Sequence, residues 1–316
     1  MLLRTTNAIL LLFVLFSAVV SGSALPSDLR LIQMVPPESQ VIAGMLSPTL
    51  EGQPSAFLLI TASNSLDLED FYAVTGADAS RLIHQVVFVG GPGSIGKLSE
   101  HSLLLNGHFD RSTIFRFAES GNASTETYRG ESILVVPPLT RERGRFKQLR
   151  WLAILKSDIA IFGTPMSVQR ELDRQIANSG PDPLLMERLS RLGRHDETWC
   201  LLPAPSASGI IESALETLDP KLGAIAREGR SMQYGIHFGS HVEITASSNN
   251  AAPKISNFEN DRSTANSAPA HSFLAGSHGG EDDRTIAVVK ISRRHYDQCL
   301  AEFSKSSLTI SVAHPH

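Results

Sequence analysis

Cysteine is scarce in this chain: two residues, Cys200 and Cys299, among 316. That excludes a disulfide-dense mini-protein and any cysteine-built zinc or iron–sulfur centre. An excess of positive charge is also missing. Lys and Arg number 28 against 32 Asp and Glu, a net charge of −4, which excludes a generally basic nucleic-acid binder. Hydrophobic residues nonetheless make up 42% of the chain, near the globular norm, so wholesale disorder is excluded as well. What is left is a globular protein of roughly two domains at ~150 residues each.

Long apolar runs are confined to the N-terminus. Arg4 precedes a run from Ala8 to Val20 that is broken only by Ser17. The run is shorter than the ~20 residues a spanning helix needs. Ser21, Gly22, Ser23 and Ala24 follow, and Gly22 and Ala24 suit the small-residue pockets of signal peptidase. Residues 1–24 are therefore expected to be a secretory signal peptide. No cysteine near the cleavage site offers a lipid anchor, and no later segment has the length to span a membrane. The expected location is exported, periplasmic or secreted, with no transmembrane segment after cleavage.

Periodicity outlines the elements. A strand is expected over Gln40–Ser47, after the turn signal Pro36-Pro37. Ser55–Ala62 is apolar and ambiguous. Asp67 opens a helix through Phe71, Tyr72 and Val74 that Gly76 stops. Gln85–Val89 and Ser102–Phe109 read as strands. Asp110 caps a helix over Arg111–Ser120, with Ile114, Phe115, Phe117 and Ala118 at helical spacing. Thr125–Tyr128 and Ser132–Val136 flank Gly130 as a hairpin, and Trp151–Leu155 and Ile159–Phe162 flank Lys156-Ser157-Asp158 likewise. Thr164-Pro165 opens a helix to about Ala177, and Pro183–Leu192 is another. A second cycle begins at Glu197, with a strand Thr198–Leu202 and a helix Ser206–Leu218. In Gln233–Ala246 the residues Tyr234, Ile236, Phe238, Val242, Ile244 and Ala246 share one parity, which places a hairpin loop at Gly239-Ser240-His241. Residues 251–283 are rich in small and polar types and are expected to be a mobile insert. A strand Thr285–Ile291 and a helix from Arg293 follow, burying Tyr296, Cys299, Leu300 and Phe303. Leu308–Val312 reads as a last strand.

These elements predict an α+β fold of mainly antiparallel sheets with packed helices, in two similar strand–helix–hairpin–helix cycles. The expected domains are 25–195 and 196–316, the second carrying the insert.

The motifs nearest to chemistry have structural readings. From Gly91 the chain fits G-x-x-x-x-G-K and also G-x-G-x-x-G, both of which cradle phosphate on backbone amides. Leu98 stands where a P-loop needs a hydroxyl, and the stretch from Gly96 to Leu103 is too short for a crossover helix. A glycine-rich hairpin loop is expected there. Pro92 replaces the first glycine of a nucleophile elbow around Ser94. His237, His241 and Glu243 share parity, but a strand holds the two histidines roughly 13 Å apart, too far for one metal. With a turn at Gly239, His237 and Glu243 become cross-strand neighbours. Arg141, Arg143, Arg145, Lys147 and Arg150 form the one basic cluster. It is read either as a contact for an anionic ligand or as a solvated loop. Cys200 and Cys299 have two readings also: a bridge closing a loop of about 100 residues, worth at most about 4.7 kcal/mol, or two buried free thiols.

Several stretches carry a resemblance. They are Met34-Val35-Pro36-Pro37-Glu38-Ser39-Gln40-Val41-Ile42-Ala43-Gly44, then Leu105-Asn106-Gly107-His108-Phe109-Asp110, and Tyr128-Arg129-Gly130 before a strand. Ile159-Ala160-Ile161-Phe162-Gly163-Thr164 before a helix and Asp196-Glu197-Thr198-Trp199 complete the set. In this order they resemble a group of uncharacterised exported bacterial proteins of the secreted domain-of-unknown-function type, over roughly residues 34–248. The resemblance implies a repeated α+β architecture and bacterial export, and it carries over no activity, cofactor or catalytic residue. The chain departs from that pattern after Asn250, where a helix is expected.

The functional expectation is a non-catalytic binding or interaction module without cofactor or metal. Its expected partner is an envelope protein, a glycan or an apolar ligand, and not nucleic acid. The alternative is an exported hydrolase whose Ser/His/acid site has no sequence signature, built on His108 and Asp110 or on His237 and Glu243. A nucleotide-binding protein ranks third.

Overall fold

The structure, a computed structural model, describes residues 27–46, 68–76, 82–91, 100–138, 148–193, 196–202, 215–228, 231–249, 271–277, 284–299 and 301–302. The expected signal peptide, Ser55–Ala62, most of the Ser206–Leu218 helix, Leu300, Phe303 and Leu308–Val312 lie outside these residues.

The strands are β1 (Val41–Leu46), β2 (Ile83–Gly90), β3 (His101–Gly107), β4 (Ser124–Tyr128), β5 (Glu131–Val136), β6 (Arg150–Leu155) and β7 (Ile159–Gly163). They continue with β8 (Thr198–Leu202), β9 (Ser231–Phe238), β10 (Val242–Asn249), β11 (His271–Ser277) and β12 (Arg284–Ile291). The helices are α1 (Leu29–Met34), α2 (Leu68–Thr75), α3 (Arg111–Ser120), α4 (Pro165–Ile176), α5 (Pro183–Leu189) and α6 (Pro220–Glu228). A further helix, α7, covers 293–299. Together they form an α+β fold on one 12-stranded sheet of order β11-β12-β10-β9-β8-β1-β2-β3-β7-β6-β5-β4. Every adjacent pair is antiparallel. β1 of the first expected domain pairs with β8 of the second, Gly44 opposite Trp199, so the sheet runs across the 195/196 boundary.

Local chemistry sets the turns. The β4–β5 loop is Arg129-Gly130, and both residues have positive φ (50° and 87°). That is the geometry that matches the twist of a two-residue hairpin. The β6–β7 loop closes at Leu155 opposite Ile159, and the β9–β10 loop at Phe238 opposite Val242. Asp110 caps α3: its carboxylate accepts from the backbone N–H and hydroxyl of both Ser112 and Thr113. Those bonds, the Thr113 hydroxyl first, hold the Asp110 carboxyl down to about 2. Asp110→Ala is expected to lower the melting temperature and Asp110→Asn to retain most of it, because asparagine caps as well as aspartate. Equal losses in a thermal melt would contradict the cap.

Two cores flank the sheet. On one face Phe88, Leu103, Leu105, Tyr234, Ile244 and Val289 meet α2, α3, α6 and the Tyr296 and Cys299 side chains of α7. On the other, Val87, Val89, Leu104, Ile161, Trp199 and Leu201 meet α1, α4 and α5. Within α3, Ile114 and Ala118 are buried, but Phe117 is 47% exposed, against the sequence expectation. Its ring lies over Gly76, where an added Cβ would stand 2.8 Å away. Gly76, at φ 63°, ends α2.

Residues 271–277 correct the expected mobile insert 251–283. They form the edge strand β11, paired from His271 opposite Lys290 to Ser277 opposite Arg284. Ordering there comes from the open backbone edge of β12, whose hydrogen bonds need no apolar surplus. The remainder of 251–283 lies outside the described residues. Among the described residues no helix is long and apolar enough to cross a membrane.

Candidate functional site

The second core contains no residue of β9, β10 or β12 among the described residues. Over that part of the sheet the outward side chains are polar or half-buried: His237, Glu243, Thr245, Ser247 and Val288, with Lys290 exposed. The Gly239-Ser240-His241 loop sets the register that brings His237 opposite Glu243, and β12 sets Lys290 on the far side of Glu243. The result is a polar row across three strands. Lys290 Nζ lies 2.8 Å from Glu243 Oε2.

Sequence reasoning paired His237 with Glu243 alone and missed the carboxylate nearest to the imidazole. Glu197 Oε2 lies 3.0 Å from His237 Nδ1 and accepts the Phe238 backbone N–H at 3.0 Å. Glu197 is fixed on both sides of its own backbone. Its N–H donates to the Ile236 carbonyl (3.1 Å), and its carbonyl accepts from Leu46 N–H (2.9 Å). Asp196 sits behind this pair, buried, and accepts the Gly193 N–H at 2.7 Å. Burial pushes its carboxyl up to about 6, against the opposing pull of the Gly193 N–H and His237. Gly235 leaves the space for Asp196, since an added Cβ would come within 1.9 Å of Oδ2.

A second polar cluster lies on the same side of the sheet under α4. Glu171 is fully buried and accepts a hydrogen bond from the Ser102 hydroxyl through Oε1. Its Oε2 has no hydrogen-bond partner among the described residues. Burial pushes the carboxyl up to about 8. The adjoining cavity, lined by Pro36, Ser39, Val89, Ser167 and Arg170 among others, holds about 10 Å³, room for one water and not for a substrate. Arg170 pairs with Glu100 near its mouth.

Arg141, Arg143, Arg145 and Lys147 lie outside the described residues. Arg150, grouped with them from sequence as an anionic-ligand contact, is 1% exposed at the start of β6. Burial lowers its guanidinium to about 10 against the stabilising charge of Asp70, so it serves the core and not the surface. The expected alternative of a Cys200–Cys299 bridge is absent: both thiols are free and buried. Burial pushes the Cys200 thiol up to about 12. His108 and Asp110 do not work as a His–acid pair, because Asp110 is committed to the α3 cap and His108 faces His84. Gly91 leads from β2 to its antiparallel neighbour β3, closed by a Gly91 N–H to Glu100 carbonyl bond of 2.8 Å. The rest of the glycine motif and Ser94 lie outside the described residues, but the strands on either side of them are antiparallel neighbours, where a phosphate cradle needs a strand-to-helix crossover. Among the described residues no group of three or more His, Cys, Asp or Glu is arranged to hold a metal ion.

Neither a family model nor a curated protein matches the chain. Among solved structures it is similar to crystal form I of the bacterial protein TP0453, with a TM-score of 0.48 and 13% identity, over 88% of this chain and 98% of that one. A likeness at that level carries no functional inference.

Proposed function

We propose that the protein is an exported, non-catalytic binding module that engages a polar partner, an envelope protein or a glycan, through the open face of β9, β10 and β12. One observation carries this reading: among the described residues the second core ends at β8, α5 touching β9 only through the Arg188 bond to the Met232 carbonyl, and the strands beyond bear the His237–Glu243–Lys290 row. A carboxylate–ammonium pair beside an imidazole and hydroxyls suits a hydrogen-bonding partner better than an apolar ligand. The signal-like N-terminus and the resemblance to exported bacterial proteins support export.

The same reading takes the chain as two cycles about the β1–β8 seam. β1, α2, β2 and β3 run outward in one direction, and β8, α6, β9 and β10 in the other. β7 then joins β3 as β12 joins β10, and each leads into a helix. Among the described residues the cycles differ in what covers the second face, a core with α1, α4 and α5 in the first and none over β9, β10 and β12 in the second.

Photo-crosslinking in the native cell envelope tests the site. A crosslinking residue at Thr245, on the open face, is expected to give a discrete adduct, and one at exposed Ser112 of α3 is expected to give none. Adding the charge reversal Lys290→Glu should reduce the Thr245 adduct several-fold. Equal labelling from both positions, or none from Thr245, overturns the reading.

A further inference from the structure

At the opposite end of β2 the geometry points to a site independent of the open face. We propose that His84 and His108 form a two-imidazole site for a divalent transition metal, with solvent completing the coordination. Three features place the rings together. Ile83 pairs with Gly107 and Gln85 with Asn106, which leaves His84 as the extra residue of a β-bulge. A bulge re-aims a side chain out of the strand's alternation. Gly107 then brings the end of β3 hard against β2: an added Cβ would lie 2.1 Å from the Leu82 carbonyl oxygen. That same carbonyl accepts the His108 backbone N–H at 2.8 Å.

The two imidazoles end 4.8 Å apart, centroid to centroid, with planes at 89°. A metal–nitrogen bond of about 2.0–2.1 Å puts each ring centroid about 3.2 Å from the ion, so ligand angles of 90–109° set centroids about 4.5–5.2 Å apart. The observed separation falls inside that range. Both side chains are exposed. Among the described residues neither ring has a hydrogen-bond or ion-pair partner, each meeting only the other. Asp110, two residues on, supplies no third ligand, because its carboxylate already accepts four hydrogen bonds.

The donor set names the class of ion. Two neutral imidazoles and water suit copper(II), nickel(II) and zinc(II), with copper(II) held most tightly, and they do not suit magnesium or calcium. With only two protein ligands the coordination sphere stays open to a third donor.

Calorimetric titration of the untagged chain with copper(II) and with zinc(II) tests the assignment. The background carries His314→Ala and His316→Ala, so that the histidines near the C-terminus do not contribute. One equivalent of copper(II) is expected to bind, more tightly than zinc(II). His84→Ala and His108→Ala should each weaken it by about tenfold or more, and the double variant should lose little beyond either single one. Electron paramagnetic resonance of the copper(II) form should show two coordinated ring nitrogens in the parent and fewer in either variant. Because both side chains are exposed, melting temperatures close to the parent's will accompany the loss. Unchanged affinity and an unchanged nitrogen count in either variant reduce the pair to an edge-to-face packing contact and overturn the site.

Discussion

Glu171→Gln is expected to stabilise the protein at pH 8 by about 4 kcal/mol, and to change its stability near pH 4 very little. The sign follows from the direction of the shift. Burial raises the Glu171 carboxyl from 4.5 to about 8 in the folded chain. Between those values the native state holds a proton that the unfolded chain has released. Stability therefore falls as pH rises from the unfolded value, and levels off only above the folded one. Glutamine has the same shape and no charge to bury, and it can still accept the Ser102 hydroxyl. Its amide reaches a cavity of about 10 Å³ next to Ser167, enough for the one water that an unpaired polar atom needs. Asp196, raised to about 6, adds a slope of the same sign at lower pH. That slope has levelled off by about pH 7, so the interval from pH 7 to 8 reports mainly on Glu171. Urea denaturation at several pH values across that interval should show a falling midpoint for the parent and a flat one for the variant. Parallel curves would mean that Glu171 ionises in the folded protein as freely as in the unfolded one.

Which parts of this fold were legible in the sequence depended on how many faces each strand buries. β9 and β10 alternate cleanly, Tyr234 and Ile236 against Gln233 and His237, because only one of their faces joins a core among the described residues. Their pairing and their loop were readable for that reason. β2, β3 and β7 are covered on both faces. Val86–Val89 and Leu103–Leu105 are therefore unbroken apolar runs, which reveal a strand without saying which side chain faces which core. The order of the sheet was illegible for the same reason. Nothing in Thr198–Leu202 points to Ser231–Phe238 as a neighbour, and so the contact of Glu197 with His237 was out of reach. Asp196-Glu197 before a strand was the available signal, and it reads as an ordinary polar turn. Arg150 read as surface because a charge is buried only when something distant in sequence compensates it, here Asp70 on α2. β11 was missed because its order rests on backbone hydrogen bonds, which leave no apolar periodicity to find.

The centre of the sheet carries the other large expected effect, and it concerns a glycine. Gly44, Trp199 and Gly235 lie side by side on β1, β8 and β9. Trp199 is among the largest fully buried side chains, and its indole lies over Gly44. A Cβ added at Gly44 would stand 2.3 Å from the indole ring carbons. β1 is paired along both edges, so the backbone has little freedom to yield. The indole cannot swing away freely, because it is packed with Leu201, Ile42 and Val87 in the second core. Gly44→Ala is therefore expected to cost about 2–3 kcal/mol through overpacking, although alanine normally suits a strand better than glycine. Trp199→Ala is expected to cost about 4 kcal/mol through lost burial and the cavity it leaves. Combining the two distinguishes a steric glycine from a conformational one. With the indole gone, Gly44→Ala should cost almost nothing, a coupling of about 2–3 kcal/mol in a double-mutant cycle. Urea midpoints of the four proteins measure it. An equal cost for Gly44→Ala in both backgrounds would mean that the glycine serves the backbone of β1 and not the tryptophan above it. Gly44 would then no longer explain how the sheet joins its two halves around the Trp199 indole.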